Sequence, residues 1–254
     1  MFFNTDLHIH TVLSPCGDLE MSPVAILERV KALHLDIIGI TDHNSTRQAQ
    51  IICGMGEKSG IKVLAGAEVT TREEVHCLVF FDQPQEVETF QEFLDHHLPE
   101  IKNDTDRFGY QVVVNSNNEI IYTEEKLLIT ALPVSIEALE AIVHDLNGLF
   151  IPAHIDRLRF GLLGQIGFIP DDLKADAMEF SPNCDIQALC NHHPEIRKYQ
   201  WITGSDAHRL SDMGRCRTLL EINSKEFGSV KSVLTGNEGK RIQIINQPVN
   251  FITT

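Results

Sequence analysis

Short apolar runs of strand length alternate with helical patterns along most of this chain, and that rhythm narrows the fold to a mainly parallel α/β arrangement. The runs are Phe2-Phe3 toward Leu7, Asp36 to Ile40, Lys62 to Ala65, Val75 to Phe81, Leu149 to Ile151, Ala177 to Phe180, Trp201 to Thr203 and Leu219 to Ile222. Helix signals fall between several of them. Ser22-Pro23 supplies an N-cap followed by a proline whose fixed φ suits a first turn, and Ile26, Leu27, Val30 and Leu33 then form one apolar stripe. Ser135 opens a second helix with Ile136, Leu139, Ile142, Val143 and Leu146 inward, and Gly148 just past its end. At 254 residues the chain has a length that barrels commonly fill as one domain.

Residues 82–134 break the rhythm, because they are too long for a single strand-to-strand crossover. Within them Gln85 to Leu98 reads as a helix, and Tyr110 to Val114 and Glu119 to Thr123 flank Asn115-Ser116-Asn117-Asn118 as a β-hairpin. The segment is expected as an insertion within a single domain spanning 1–254, with the role of a lid left open.

The histidines and acids collect at the ends of the runs. His8 and His10 close the first strand, where residues i and i+2 face the same side, so both imidazoles can reach one ion. Asp42-His43 follows Ile37 to Thr41, Glu68 follows Val63 to Ala67, His76 sits at the next run, His154 follows Phe150 to Ala153, and Asp206 with His208 follows Trp201 to Ser205. Nearly all lie at or past the C-terminal end of a strand, the face on which parallel barrels build their sites. Singly, each has an ordinary explanation: a hydrogen-bonded histidine pair, a helix N-cap, an ion-pair partner or a core histidine. Together at one end of six strands they point to a metal cluster. His34, His96, His97, His144, His192 and His193 are expected in surface roles.

Charge limits the partners. With 21 Lys and Arg against 36 Asp and Glu, the formal charge of −15 argues against a broad surface for long nucleic acids. It leaves anionic substrates open, since bound divalent ions reverse the sign of a pocket. No apolar run is long enough for a membrane span, the first residues lack a signal-peptide pattern, and six cysteines show no C-x-x-C pairing. A cytoplasmic protein with reduced thiols and no membrane partner is expected.

Five motifs in order, Asp6-Leu7-His8-Ile9-His10-Thr11, Ile40-Thr41-Asp42-His43-Asn44, Gly66-Ala67-Glu68-Val69, Pro152-Ala153-His154 and Gly204-Ser205-Asp206-Ala207-His208, resemble those of the polymerase-and-histidinol-phosphatase (PHP) family over about residues 1–222. The resemblance implies a distorted (β/α)7 TIM-like barrel holding two or three divalent ions, with zinc, manganese and iron all suited to the ligands. It implies that His8, His10, Glu68 and Asp206 hold the first ion, and that Glu68 bridges to a second completed by His76 and His154. A third ion would take His43, His208 and one ligand from the loop after His10, where the family uses Asp or His. Asp18 is the expected ligand, because a carboxylate-rich cluster suits oxygen; Cys16, at the closest ungapped spacing, is the alternative that zinc would favour.

The expected activity is a metal-dependent phosphoesterase acting on a small phosphorylated substrate, a nucleotide or metabolite phosphomonoester. A hydroxide formed between ions sharing Glu68 would attack phosphorus in line, with Glu68, Asp206 and His208 as the catalytic set and His208 or a water protonating the leaving alcohol. Asp42 would orient His43. Arg157, Arg159 and Arg209 follow ligand motifs, and Arg157 and Arg209 are the expected phosphate clamps. The alternatives are a phosphodiesterase or exonuclease on short oligonucleotides and a non-catalytic, metal-stabilised module. An amidohydrolase type would bridge its ions through a lysine, but Glu68 holds that place and Lys62 lies at the wrong end of its strand.

Overall fold

The computed structural model describes residues 1–236 and 241–246. Its elements run β1 (Phe2–Ile9), α1 (Pro23–Ala32), β2 (Ile37–Ile40), α2 (Arg47–Glu57), β3 (Lys62–Thr70), β4 (His76–Phe81), α3 (Pro84–His97), α4 (Thr105–Phe108), β5 (Val112–Val114), β6 (Ile120–Thr123), α5 (Ile136–Asp145), β7 (Leu149–Pro152), α6 (Leu162–Gln165), β8 (Met178–Phe180), α7 (Ile186–His192), β9 (Trp201–Thr203), β10 (Cys216–Glu221), α8 (Phe227–Leu234) and β11 (Ile242–Asn246). Ser22 and Ser135 cap α1 and α5, their hydroxyls accepting from Ala25 N and Ala138 N.

A curled seven-stranded sheet of order β11-β10-β1-β2-β3-β4-β7 forms the frame. The strands β1, β2 and β3 are parallel, as the alternation predicts. The mainly parallel expectation fails at β4, which is antiparallel to both β3 and β7, and at β10 and β11, which are antiparallel to their neighbours. The cause at β4 is the connection. Only residues 71–75 separate it from β3, enough for a hairpin turn (Thr71 N donates to Val75 O at 2.9 Å) but too few for a parallel crossover. The β8–β9 pair is parallel and links the β7 side to β1. Ile155 N donates to Glu179 O at 2.9 Å, while Ala207 N donates to His8 O at 3.2 Å and His10 N to Ala207 O at 3.0 Å.

Alternation along the strands divides the apolar residues between two layers. Leu78 and Phe80 of β4 join Leu7, Ile37, Leu64 and Ile151 in one, completed by Phe227, Val230, Val233 and Leu234 of α8. Cys77, Val79 and Phe81 join the other, with Ile26 and Val30 of α1, Ile52 of α2, Phe90 of α3 and Leu139 and Val143 of α5. Two glycines make room for the Phe80 ring: a Cβ on Gly39 would lie 2.7 Å from Phe80 Cε1, and one on Gly66 2.6 Å from Cδ1.

Residues 82–134 contain α3 and the antiparallel β5–β6 hairpin at the places expected for them. Polar side chains tie the segment to the loop after β2 and to the start of α2. Gln91 Oε1 accepts from Thr46 N (2.6 Å), Asn44 Nδ2 donates to Leu128 O (2.7 Å), and the Gln48 amide pairs with both backbone groups of Val114 (3.0 and 2.8 Å). No described helix is long and apolar enough to cross a membrane.

Candidate metal centre

The strands β1, β2, β3, β7 and β9 deliver their C-terminal ends to one rim, and antiparallel β4 delivers its first residue, His76, to the same place. At the centre is Glu68, on β3 and 1% exposed. Its Oε1 lies 2.8 Å from His76 Nδ1, 3.1 Å from His154 Nε2 and 3.3 Å from His8 Nε2. Its Oε2 lies 3.1 Å from His43 Nδ1 and 3.4 Å from His10 Nε2. Asp206 Oδ1 is 3.4 Å from both His8 Nε2 and His10 Nε2 and 3.7 Å from His208 Nδ1. His43, Glu68, His76, His154, Asp206 and His208, with Cys16, Ile129, Arg157 and Phe160, line a cavity of about 310 Å³.

The backbone at this rim is unusual. Asn44, His154 and Asp206 have φ of 45°, 29° and 50°, a region non-glycine residues seldom adopt without support from their surroundings. Here the support is visible. His154 N donates to Glu179 Oε2 at 3.1 Å. The turn around Asp206 is held by Asp6, buried completely, whose two oxygens accept from Ser205 N (2.9 Å) and Gly214 N (3.0 Å). The Asn44 side chain accepts from Thr70 N at 3.1 Å as well as donating into the insertion.

A second set of side chains aims the imidazoles. Glu179, 2% exposed, receives His8 Nδ1 at 2.9 and 3.1 Å from its two oxygens. Ser14 Oγ lies 3.0 Å from His10 Nδ1, accepts from His43 N (3.2 Å) and donates to Asp42 Oδ1 (2.6 Å). Asp42 therefore acts otherwise than expected. It holds Thr11 and Ser14 rather than the His43 ring, accepting from Thr11 N and Thr11 Oγ1 at 2.7 Å each, and orients His10 through Ser14.

The cluster does not satisfy itself. Burial favours neutral imidazoles, which pushes His43 well below the usual histidine range and His208, beside His10, down to about 4. Burial also opposes charge on His8 and His10, but Glu179, Asp206 and Glu68 outweigh it at His8, and Asp206 and Glu68 hold His10 up to about 9. Against the same burial, the imidazoles keep Glu68 and Asp206 below the ordinary carboxylate range. Nδ1 of His43 and of His154 are buried without a properly oriented hydrogen bond. Among the described residues three groups have donor atoms within 4.8 Å of one another: His8, His10 and Glu68; His43, Glu68 and His76; and His10, Cys16, His43 and His208. Imidazole nitrogens converging on buried carboxylates are the donor set divalent cations take, so the residues present fit such ions.

Eight of the nine sequence-expected ligands thus meet at one place. Asp18 does not: it is exposed, its Oδ1 accepts from Glu20 N at 2.9 Å, and it belongs to none of the three groups. The turn in which Gly17 N donates to Ser14 O (2.8 Å) places Cys16 with the histidines instead and carries Asp18 past them. Of the expected clamps, Arg157 lines the cavity and donates from Nη1 to Asp206 Oδ2 at 2.6 Å, whereas Arg209 is exposed and outside the lining. Arg159 is exposed too. Among residues with no sequence-stated role, Glu179 carried the clearest signal, an acid inside the apolar run Met178-Glu179-Phe180. Asp6 and Ser14 lie within or beside the first motif, where the histidines draw the attention.

Comparison with known proteins agrees with this geometry. The PHP domain profile matches residues 6–167, and a PHP-associated profile matches residues 195–235. The uncharacterized protein YqxK of Bacillus subtilis (strain 168) is 26% identical over 190 residues, covering 71% of this chain and 43% of that protein. The lesion-specific endonuclease EndoQ of Pyrococcus furiosus superposes with a TM-score of 0.72 at 20% identity, covering 95% of this chain and 58% of that one. A protein assigned as a metal-dependent phosphoesterase from Bifidobacterium adolescentis gives a TM-score of 0.60 at 18% identity, covering 91% and 95%. The chain therefore spans less than two thirds of the length of YqxK and of EndoQ.

Proposed function

Because this chain belongs to the PHP-domain family, we propose that it is a metal-dependent phosphoesterase acting on a small phosphorylated substrate, with its centre in a distorted seven-stranded barrel of β1, β2, β3, β4, β7, β8 and β9. One observation carries the reading: five imidazoles approach the single buried carboxylate Glu68 within 2.8–3.4 Å, beside a second carboxylate, Asp206. His8, His10, Glu68 and Asp206 would hold one ion, Glu68, His76 and His154 a second, and His43 with His208 a further one. Bound there, divalent ions would supply an acidified water near neutral pH and would neutralise charge on a phosphoryl group.

The chain's own residues do the rest. Glu179, Ser14 and Asp42 fix the ring orientations before substrate arrives, so little reorganisation is left to the reaction. Arg157 presents a guanidinium to the cavity next to Asp206, where its remaining N–H groups suit phosphoryl oxygens. His208, neutral at pH 7 in the surroundings described, suits a ligand more than a proton donor, so the leaving alcohol would take its proton from water in the cavity. At about 310 Å³ the cavity matches a small phosphate ester, and Phe160, stacked on His76 with centroids 4.4 Å apart, gives it an apolar wall.

A second reading, cleavage of a phosphodiester in DNA, is favoured by the likeness to EndoQ over 95% of this chain, one of whose structures holds a duplex with an abasic lesion at the active site. The net charge of −15 weighs against it. The test is hydrolysis by metal-reconstituted protein over histidinol phosphate, mononucleotides, nucleoside bisphosphates, short oligonucleotides, a phosphotyrosine peptide and an abasic duplex, with His8→Ala as control. Turnover of a small ester, lost in the variant, supports the first reading. Nicking of the duplex alone replaces it with the second. Silence across the panel with metal bound would leave a non-catalytic metal module.

A further inference from the structure

We infer that Cys16 supplies a thiolate to the outermost ion of the centre, making that position a cysteine and two-histidine site that selects zinc-like cations over magnesium or calcium. The inference rests on the metal-dependent reading above and concerns the loop ligand that reading leaves unassigned.

The donor atoms of His10, Cys16, His43 and His208 lie within 4.8 Å of one another. His10 Nε2 stands 3.4 Å from both Glu68 and Asp206, so it serves the neighbouring ion. Cys16, His43 and His208 remain, and all three line the cavity, which leaves the fourth position open toward substrate. The loop is held in this form. Gly17 N donates to Ser14 O (2.8 Å), Asp18 N donates to His208 O (2.8 Å), and Ser14 is anchored on Asp42. A side chain at Gly17 would strike the Thr11 carbonyl, so the tight turn that presents Cys16 depends on glycine. The backbone bond from Asp18 also couples the cysteine loop directly to His208. The other five cysteines are buried or half-buried and belong to none of the donor groups, whereas Cys16 is exposed. Soft sulfur beside two imidazoles favours zinc, cobalt or cadmium over hard cations that prefer oxygen. On binding, the S–H bond breaks, a metal–sulfur bond forms and the proton leaves to solvent.

The test is cobalt(II) titration of the full chain after chelation, read by absorption and by metal content. The wild type is expected to show a near-ultraviolet thiolate-to-cobalt charge-transfer band that Asp18→Asn keeps and Cys16→Ser loses, together with one ion per chain. Cys16→Asp should restore the metal content without the band. No band in the wild type at full cobalt occupancy, or an undiminished band in Cys16→Ser, would overturn the inference. Hydrolysis is measured separately. A band without turnover removes the phosphoesterase reading and keeps the ligand, and turnover without a band does the reverse.

Discussion

Replacing Glu179 by glutamine tests how far the centre depends on the side chains behind it. The buried carboxylate accepts from His8 Nδ1 (2.9 and 3.1 Å) and from His154 N (3.1 Å). The amide of Glu179→Gln has nearly the same shape but offers one acceptor oxygen. Both donors converge on Oε2, so a Gln oxygen there keeps them but sets the new NH2 3.1 Å from His8 Nδ1, and the reverse orientation sets the NH2 against both; either way a buried N–H faces a donor. An unsatisfied buried donor costs about 1–3 kcal/mol. Removing the group that orients a metal-bound histidine costs about 10–100-fold in metal affinity, which is about 1.4–2.8 kcal/mol at about 1.4 kcal/mol per decade. The two estimates overlap, so a loss of about one to two decades in metal affinity is expected. Competition against a chromophoric chelator measures it, and thermal unfolding checks that the variant is folded. A folded Glu179→Gln protein that binds metal with wild-type affinity would refute the reasoning that Glu179 fixes the His8 and His154 positions.

Ser14→Ala removes the hydroxyl shared by His10, His43 and Asp42; denaturant titration should show a loss of about 1–3 kcal/mol, and the chelator assay about tenfold weaker metal binding. Gly66→Ala drives a methyl group against the Val79 carbonyl and the Phe80 ring, so its denaturation midpoint should fall by the equivalent of at least about 1–3 kcal/mol. His144 is raised by its hydrogen bond to Asp176 (3.1 Å), against burial and with help from Glu140 (3.3 Å). A folded pKa above the unfolded value means this stabilisation is complete below the ordinary histidine pKa of 6.5 and is lost as pH rises through the folded value. In denaturant titrations at several pH values, His144→Gln should be weaker than the wild type at acidic pH and converge on it at alkaline pH; a constant difference would show that proton linkage is not involved.

The strands and most of the site were legible because both depend on local order. Apolar runs with a period of two bury on either face of a sheet, and a motif such as Asp6-Leu7-His8-Ile9-His10 fixes its own side-chain directions. The antiparallel β4 was legible in principle from the five residues between Thr70 and His76, a connection too short for anything else. Glu179 was harder. Its partners, His8 and His154, are 171 and 25 residues away, and only the fold brings them together. The choice between Asp18 and Cys16 turned on one tight turn, since a shift of two residues along a loop decides which side chain faces the histidines. Arg209 lies outside the cavity lining, since closeness in sequence to His208 does not by itself aim a side chain at the cavity.

The most direct test of the central claim is anomalous diffraction from crystals grown with zinc or manganese, recorded at the metal's absorption edge. The account predicts peaks on both sides of Glu68, one among His8, His10 and Asp206 and one beside His76 and His154. Peaks confined to other parts of the molecule, or none at this cluster under saturating metal, would contradict it.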